Sequence, residues 1–445
     1  MINLPPSLLD SLQHLEGFNE KDFTESHQKE ERITSIRINP FKKSEPDFKL
    51  DSPVKWNTEG YYLNERPSFT LDPLFQAGCY YPQEAGSMFL QFALRQTLDF
   101  TGSLKLLDVC AAPGGKSTLI NSLLNESSLL VANEIIKSRA GVLVQNLSKW
   151  GTANTIVTSN DPRKFSELQS FFDALIVDAP CSGSGLFRKQ PEAIGEWSED
   201  HVKACCIRQQ KILSDALPSL KTGGILVYST CSYSVAENED VVKNLIRESD
   251  MEYVPLSIDK TWGIVESAYG YRFYPHLTKS EGFFCAVLRK KNSQGQGHSF
   301  RKKTSAEAPK ADQEIISPFV APNQGVIVKK NEQFHLLSPE ASSFLASFEK
   351  QFYFKKAGVV VGEIKGKDLI PNQELAWFTG LNRDVKHVEL DKESALKFLR
   401  KENFFTPENI KGLVLMRYKA QGLGWAKILP NRINNYLPNE FRILK

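Results

Sequence analysis

The chain has 445 residues, 41% of them hydrophobic and 24% charged, with a net charge of +3: enough for roughly two to four domains with a buried core, and too small a charge excess to announce nucleic acid by itself. No stretch of about 18 apolar residues exists, which excludes a membrane-spanning helix, and the early acids Asp10, Glu16 and Glu20, with no apolar core beside them, argue against a signal peptide. The seven cysteines form an odd set without a CxxC pair, which argues against a disulfide framework and a zinc knuckle and points to reduced thiols in a cytoplasmic protein with no metal.

Residues 1–99 open with an amphipathic segment (Leu8, Leu12, Leu15), then a strand-like run at 35–39 and a loop-rich stretch to Gly78. A helix is expected over 83–98, with Met88, Phe89, Phe92 and Leu94 as its apolar residues. From Lys105 onward short apolar runs alternate with longer helical periods. Strands are expected at 106–109, 129–132, 155–157, 174–177 and 225–228, and helices at 116–124, 138–150, 200–220 and 237–248. Such alternation builds a parallel sheet covered on both faces. Residues 283–288 read as a last, antiparallel edge strand of this region, 100–290. Residues 291–313, rich in Gln, Ser, Gly, Lys and Ala, read as a basic flexible linker, with Arg289-Lys290-Lys291 and Arg301-Lys302-Lys303 as its basic clusters. A C-terminal region, 314–445, completes the chain. From Lys411 to its end it has seven Lys or Arg (Lys411, Arg417, Lys419, Lys427, Arg432, Arg442, Lys445) against one acid, Glu440.

The strongest local signal is Leu107-Asp108-Val109-Cys110-Ala111-Ala112-Pro113-Gly114-Gly115-Lys116-Ser117. A strand ends, a glycine-bearing turn comes next, and a helix begins. In open α/β sheets such a turn aims backbone N–H groups and a helix N-terminus at a ligand, and small residues let the ligand lie against the backbone. One alternative is a plain strand-to-helix turn. Another is a phosphate-binding P-loop, whose end Gly115-Lys116-Ser117 imitates, but that motif needs glycine where Cys110 stands. The next strand ends at Asn133-Glu134, an acid placed to accept hydrogen bonds from ribose hydroxyls. The third runs into Ser159-Asn160-Asp161, placed to meet an adenine amino group. Each acid alone reads as a solvated loop residue; at the ends of successive strands, they read as an adenosine cradle.

The fourth strand runs into Val177-Asp178-Ala179-Pro180-Cys181-Ser182-Gly183, and the fifth into Tyr228-Ser229-Thr230-Cys231-Ser232. Both cysteines therefore fall just past the carboxyl ends of parallel strands, on the edge that carries the ligand turn. Two core cysteines have no reason to share that placement. Carbon 5 of a pyrimidine is a poor nucleophile. A thiolate that adds to carbon 6 makes carbon 5 enamine-like and able to attack a methyl group, after which a base removes the carbon 5 proton and the thiolate leaves. Asp178 is placed to hold a proton against ring nitrogen 3, and Lys116 to orient the base or the acid. Chemistry alone leaves the roles of Cys181 and Cys231 interchangeable and does not identify the final base.

With these residues assembled, the sequence resembles the Sun/Nop family of RNA cytosine-5 methyltransferases. The matching runs are Asp108 to Lys116, Asp178-Ala179-Pro180-Cys181-Ser182-Gly183, Ser229-Thr230-Cys231-Ser232, Arg272-Phe273-Tyr274-Pro275-His276 with Glu281-Gly282-Phe283-Phe284, and upstream Tyr80-Tyr81-Pro82-Gln83-Glu84 with Met88. The resemblance implies a class I methyltransferase Rossmann-like α/β sheet behind a small α+β N-terminal domain. It implies S-adenosylmethionine as methyl donor, held by Cys110, Ala111, Ala112, Pro113, Gly114, Gly115, Lys116, Glu134, Asp161 and Asp178. It also implies Cys231 as the nucleophile and Cys181 as the residue that assists release, with Asp178 and Lys116 beside them. The C-terminal region is similar to the tail of the bacterial small-subunit rRNA members, the RsmF type, through Ala357-Gly358, Gly362-Glu363, 371–376, Leu423-Gly424-Trp425-Ala426-Lys427 and Asn435-Tyr436-Leu437-Pro438. Such tails carry a PUA-like RNA-binding barrel. The expectation is an S-adenosylmethionine-dependent rRNA cytosine-5 methyltransferase acting on small-subunit rRNA or an assembling subunit. The target cytosine must be unpaired or flipped out, and the basic tail would contact phosphates. Trp425 and Tyr436 either stack on bases or fill a barrel core. The alternatives are a tRNA cytosine-5 methyltransferase and a noncatalytic RNA-binding or ribosome-assembly factor. Methylation of an adenine amino group is disfavoured, because Asp178-Ala179-Pro180-Cys181 lacks the Pro-Pro-aromatic pattern of that chemistry.

Overall fold

The computed structural model describes residues 2–29, 33–291, 303–404 and 410–444. The N-terminal part runs α1 (Pro6–Leu12), α2 (Glu20–Gln28), β1 (Thr34–Ile38), β2 (Gly60–Leu63), α3 (Pro73–Gln76), β3 (Tyr80–Pro82) and α4 (Phe89–Thr97). The alternating segment continues as β4 (Lys105–Asp108), α5 (Gly115–Leu123), β5 (Leu129–Asn133), α6 (Lys137–Trp150), β6 (Thr155–Thr158), β7 (Phe172–Asp178), α7 (Glu199–Ala216), β8 (Leu220–Thr230) and α8 (Glu239–Glu248). It ends in β9 (Met251–Tyr253), β10 (Val265–Ser267), β11 (Gly270–Phe273) and β12 (Phe283–Lys290). The remainder begins with α9 (Lys310–Ile316), β13 (Val326–Lys330), β14 (Gln333–Leu337), α10 (Pro339–Phe348), β15 (Phe354–Ala357), β16 (Val359–Lys365), β17 (Asp368–Pro371) and α11 (Gln373–Trp377). It closes with β18 (His387–Glu389), α12 (Lys392–Leu399), β19 (Gly412–Tyr418), β20 (Gln421–Leu429) and β21 (Arg432–Asn435).

The expected α/β architecture is present. Among the described residues the main sheet has ten strands in the order β10-β11-β12-β8-β7-β4-β5-β6-β15, with β9 also paired to β12. Its centre, β8-β7-β4-β5-β6, is parallel. Successive residues of each central strand point to opposite faces, so apolar runs there feed two cores at once. Leu106, Leu130, Ala132, Ile176 and Val227 pack against α4, α5 and α6. Leu107, Leu129, Val131, Val177 and Leu226 pack on the other side against Leu213 of α7 and Val241 of α8. Smaller sheets flank this one: β2-β1-β3, β13-β14-β16-β17 and β18-β19-β20-β21. Among the described residues no helix is long and apolar enough to cross a membrane.

Three expectations are corrected. The helix expected from Gln83 starts later: Gly86–Met88 forms a 3-10 turn and α4 begins at Phe89. The cause is Glu84, whose carboxylate accepts the N–H groups of Gly86 and Ser87 and holds the backbone in a turn. Strand β12 is not an edge. It is antiparallel to β8 as expected, but β11 and β10 continue the sheet beyond it. Of the expected linker, residues 292–302 lie outside the described residues, and its later part is structured: Glu307 bridges Val328, Ala308 is buried, and α9 starts at Lys310. The first part of the C-terminal region also joins the main sheet. β15 pairs antiparallel with β6, and Phe344, Leu345 and Phe348 of α10 pack into the same core as α7 and α8.

Candidate active site

Each candidate residue sits at or just past the end of a central strand, except Lys116, the second residue of α5. After β4 the chain turns through Cys110, Ala111, Ala112 and Pro113 to Gly114, the residue before α5. Gly114 has φ +112, a left-handed conformation that L side chains rarely adopt, and an added Cβ would stand 3.3 Å from Leu143. The turn is tied down on both sides: the Ala111 N–H donates to the Asn133 carbonyl (2.8 Å) and Arg139 donates to the Ala112 carbonyl (2.9 Å). Glu134, past β5, is buried. Its carboxylate accepts the Ile136 N–H (2.9 Å) and lies 3.6 Å from Arg139. Asp161, past β6, is exposed and accepts the Arg163 N–H (2.9 Å). The three segments lie on adjacent parallel strands, so both acids share one sheet edge with the turn.

A cavity of about 190 Å³ opens on that edge, lined by Tyr81, Gln83, Glu84, Cys110, Lys116 and Asp178 among others. Its small floor (Ala111, Ala112, Gly115) and the helix N-terminus suit a nucleoside with a short charged tail, while Glu134 and Asp161 stand on the same sheet edge outside its lining. Burial pushes the Cys110 thiol well above the ordinary cysteine range, which leaves it a neutral wall. Below the turn, Asp108 is fully buried. Ser117 donates to one of its oxygens (2.6 Å) while the other has no hydrogen-bond partner among the described residues, and burial pushes its pKa up to about 7.

The second half of the site comes from β7 and β8, whose register pairs Asp178 with Ser229. The loops beyond them bring the Sγ atoms of Cys181 and Cys231 to 3.1 Å. The contact to Cys231, and after it burial, raises the Cys181 thiol well above the ordinary range, which favours its protonated form beside Cys231. Lys116 reaches from the first turn of α5 to Asp178 (Nζ–Oδ2, 2.7 Å), and Ser229 donates to the other oxygen of Asp178 (2.7 Å). Burial acts against the Lys116 charge, but the Asp178 carboxylate outweighs it and the ammonium is held above its usual range. The aromatic face of Phe283, 5.3 Å from Nζ, closes the other side. Cys110, Lys116, Asp178, Cys181 and Cys231 thus occupy one strand-end edge, with Lys116 joining the ligand turn to Asp178 and the thiols meeting next to it.

Sequence reasoning misses three sets of residues here. Tyr81, Gln83 and Glu84 resemble part of a lead-in helix but line the cavity. Arg37 of β1 is fully buried and donates to Gln83 (2.8 Å), Thr118 (2.6 Å), Ser122 (3.2 Å) and the Gly115 carbonyl (3.3 Å), with its guanidinium 4.6 Å from the Trp150 ring. Ser182, Ser232 and Glu237 form a buried cluster behind the thiols. An arginine inside the apolar strand 34–38 is the one available signal for the second set.

At the other end, Trp425 is buried and its Nε1 donates to the Asn372 carbonyl (3.0 Å), while Tyr436 packs against the same core. Both serve the fold. Of the basic tail, Arg417 pairs with Glu389 and Lys419 with Asp47, whereas Lys411, Lys427, Arg432 and Arg442 are exposed. Lys445 lies outside the described residues.

Comparison with known proteins fits this layout. The family described as "16S rRNA methyltransferase RsmB/F" matches residues 95–289. The "N-terminal domain of 16S rRNA methyltransferase RsmF" matches 4–85, and the "Methyltransferase RsmF PUA domain" matches 385–443. The chain is 33% identical to the ribosomal RNA small subunit methyltransferase F of Aeromonas hydrophila, over 91% of this chain and 90% of the relative. It is 31% identical to the protein of that name from Pectobacterium atrosepticum, over 98% and 96%. Among solved structures it is similar to a methyltransferase homolog protein from Pyrococcus horikoshii (TM-score 0.52, 30% identity, 64% of this chain and 100% of that one). It shares the fold of NSun6 from Pyrococcus horikoshii, crystallised with SFG (TM-score 0.53, 23% identity, 65% and 99%).

Proposed function

The chain belongs to the RsmB/F family of 16S rRNA methyltransferases, and from that premise we propose that it methylates carbon 5 of a cytosine in small-subunit rRNA through a covalent adduct on Cys231. The observation that carries the reading is the meeting of two thiols, 3.1 Å apart, beside the Lys116–Asp178 pair on the edge that holds the ligand turn. S-adenosylmethionine would supply an electrophilic methyl group there. The residues suited to hold it are the turn from Cys110 to Lys116, with Glu134 for the ribose hydroxyls, Asp161 for the adenine amino group, and Asp178 near the charged tail.

The chain's own groups divide the work. Cys231 adds as thiolate to carbon 6, forming a C–S bond and pushing electrons toward ring nitrogen 3. The Lys116 ammonium, paired with Asp178, meets the charge that develops there. Once carbon 5 has gained its methyl group, a base takes its proton, the C–H electrons re-form the carbon 5–carbon 6 double bond, and the C–S bond breaks and returns its electron pair to Cys231. Cys181, protonated and hydrogen-bonded to Cys231, assists that release. The PUA segment brings the RNA, working in the cytoplasm on an rRNA or an assembling subunit whose target base is unstacked.

The test is methyl transfer from labelled S-adenosylmethionine to rRNA, with 5-methylcytosine mapped in 16S rRNA and tRNA from cells with and without the gene. We expect loss of one 16S rRNA site, no transfer by Cys231→Ala, and an accumulated RNA adduct with Cys181→Ala. Full activity of Cys231→Ala would overturn the reading, adduct on Cys231→Ala instead would exchange the thiol roles, and loss confined to tRNA would replace the substrate.

A further inference from the structure

Glu237 lies between β8 and α8, two residues before the helix, and is fully buried. No cation is within ion-pairing distance of it among the described residues; its partners are hydrogen-bond donors from the two cysteine loops and from Gln209 of α7. One oxygen accepts the Ser182 N–H (2.7 Å) and, at 3.4 Å, Nε2 of Gln209, which also donates to the Pro180 carbonyl (3.0 Å). The other accepts both Ser182 Oγ (2.5 Å) and Ser232 Oγ (2.6 Å). Ser182 and Ser232 are the residues that come directly after Cys181 and Cys231. Their hydroxyls are 3.3 Å apart, and Ser184, also 3.3 Å from Ser232, accepts the Tyr233 N–H (2.9 Å). A second tie runs through the backbone, where the Gly185 N–H donates to the Cys231 carbonyl (2.8 Å).

A buried carboxylate is expensive unless its lone pairs are filled, and here one carboxylate is filled by donors from both loops at once. The geometry fixes the spacing of the loops, because neither serine can move without leaving charge unsolvated. We infer that Glu237 is a positioning residue that registers the Cys181 loop against the Cys231 loop, and so sets the contact through which Cys181 acts on the adduct. This rests on the proposed covalent mechanism and adds to it a residue that touches neither thiol. The Glu237 charge also acts on Cys181, behind the larger contributions of the Cys231 contact and burial, in the sense that keeps the Cys181 proton in place.

The bracket distinguishes acid from amide. Glu237→Gln keeps the shape, but its NH2 group must face either the Ser182 N–H, which it cannot bond, or the two serine hydroxyls, which must turn round to accept, so the charge-assisted bonds that register the loops are lost or weakened. Misplacement on the ångström scale costs catalysis about a hundredfold. The experiment measures kcat, KM for RNA and for S-adenosylmethionine, and the ratio of trapped covalent adduct to methylated product, for wild type, Glu237→Gln, Ser182→Ala, Ser232→Ala, Cys181→Ala and Cys231→Ala. We expect Glu237→Gln to lower kcat between about tenfold and a hundredfold, to leave both KM values within about twofold, and to raise the adduct-to-product ratio toward that of Cys181→Ala. The two serine variants, which each remove one hydroxyl donor while Ser182→Ala keeps the Ser182 N–H bond, should fall between. A general loss of packing would lower adduct and product together. An unchanged ratio in Glu237→Gln and in both serine variants overturns the inference, whatever happens to stability. If Cys231→Ala forms adduct or product at the wild-type rate, the covalent mechanism itself has failed and not only this role for Glu237.

Discussion

The Asp108 carboxyl makes the protein less stable as the pH rises, and removing it should show this directly. It ends β4, is fully buried, and has one oxygen bonded to Ser117 while the other has no hydrogen-bond partner among the described residues. Burial, opposed by the Ser117 hydrogen bond and reinforced by the Asp178 charge, raises its pKa from 3.8 to about 7. In the unfolded chain it ionises near the ordinary value, so between those pH values unfolding releases a proton and is favoured by rising pH. The stability associated with the protonated form is fully present below about pH 4 and lost by about pH 7. The difference between the two pKa values corresponds to about 4 kcal/mol. Asp108→Asn keeps the volume and the acceptor for Ser117 but cannot ionise. Urea denaturation across pH 4 to 8 should give curves that coincide at the acid end and diverge until the variant is more stable by up to about 4 kcal/mol. Parallel curves, or a variant that loses ground as the pH rises, would refute the assignment of a buried, high-pKa acid to this position.

Two further outcomes rest on contacts at the site. Lys116→Met retains the buried stem but leaves Asp178 without its ion-pair partner; kcat/KM for methyl transfer should drop by about a hundredfold, near 3 kcal/mol, with the Tm little changed. Arg37→Lys keeps the charge but loses the planar fork that reaches Gln83, Thr118, Ser122 and the Gly115 carbonyl. Chemical denaturation should show a loss of about 2 kcal/mol, and KM for S-adenosylmethionine should rise because the first turn of α5 is released.

The parallel core was readable because strands buried on both faces must be continuously apolar, as Leu106-Leu107 and Leu129-Leu130-Val131 are. The site edge came with it, since a motif just past a strand is placed by the strand. What the sequence withheld was distance. That Cys181 and Cys231 touch depends on the register of β7 against β8, which nothing within either motif encodes. Glu237 was hidden differently. An acid just before a helix ordinarily serves the helix N-terminus, and only the return of the Cys181 loop reveals that this one is buried between loops. Strand β15 escaped because Phe354-Lys355-Lys356-Ala357 has no apolar run. It is held by hydrogen bonds to β6 and by the buried Lys356 pairing with Glu374. The helix expected at Gln83 failed because a local carboxylate outcompeted helical hydrogen bonding.

The return of β15 to the edge of β6 bears on how the gene can be cut. Residues 303–357 complete the catalytic layer, through the ladder from Phe354 to Ala357 and through Phe344 and Phe348 packed on Phe171. Covalent continuity through 292–302 is therefore not what holds the halves together. A protein nicked in that interval should run as one species under native conditions and as two in denaturant, and the two pieces, produced separately, should complement each other. A truncation after residue 291, made to isolate a minimal enzyme, removes a sheet edge and a layer of core along with the RNA-binding tail. Inactivity of such a fragment would report on its folding before it reported on RNA recognition.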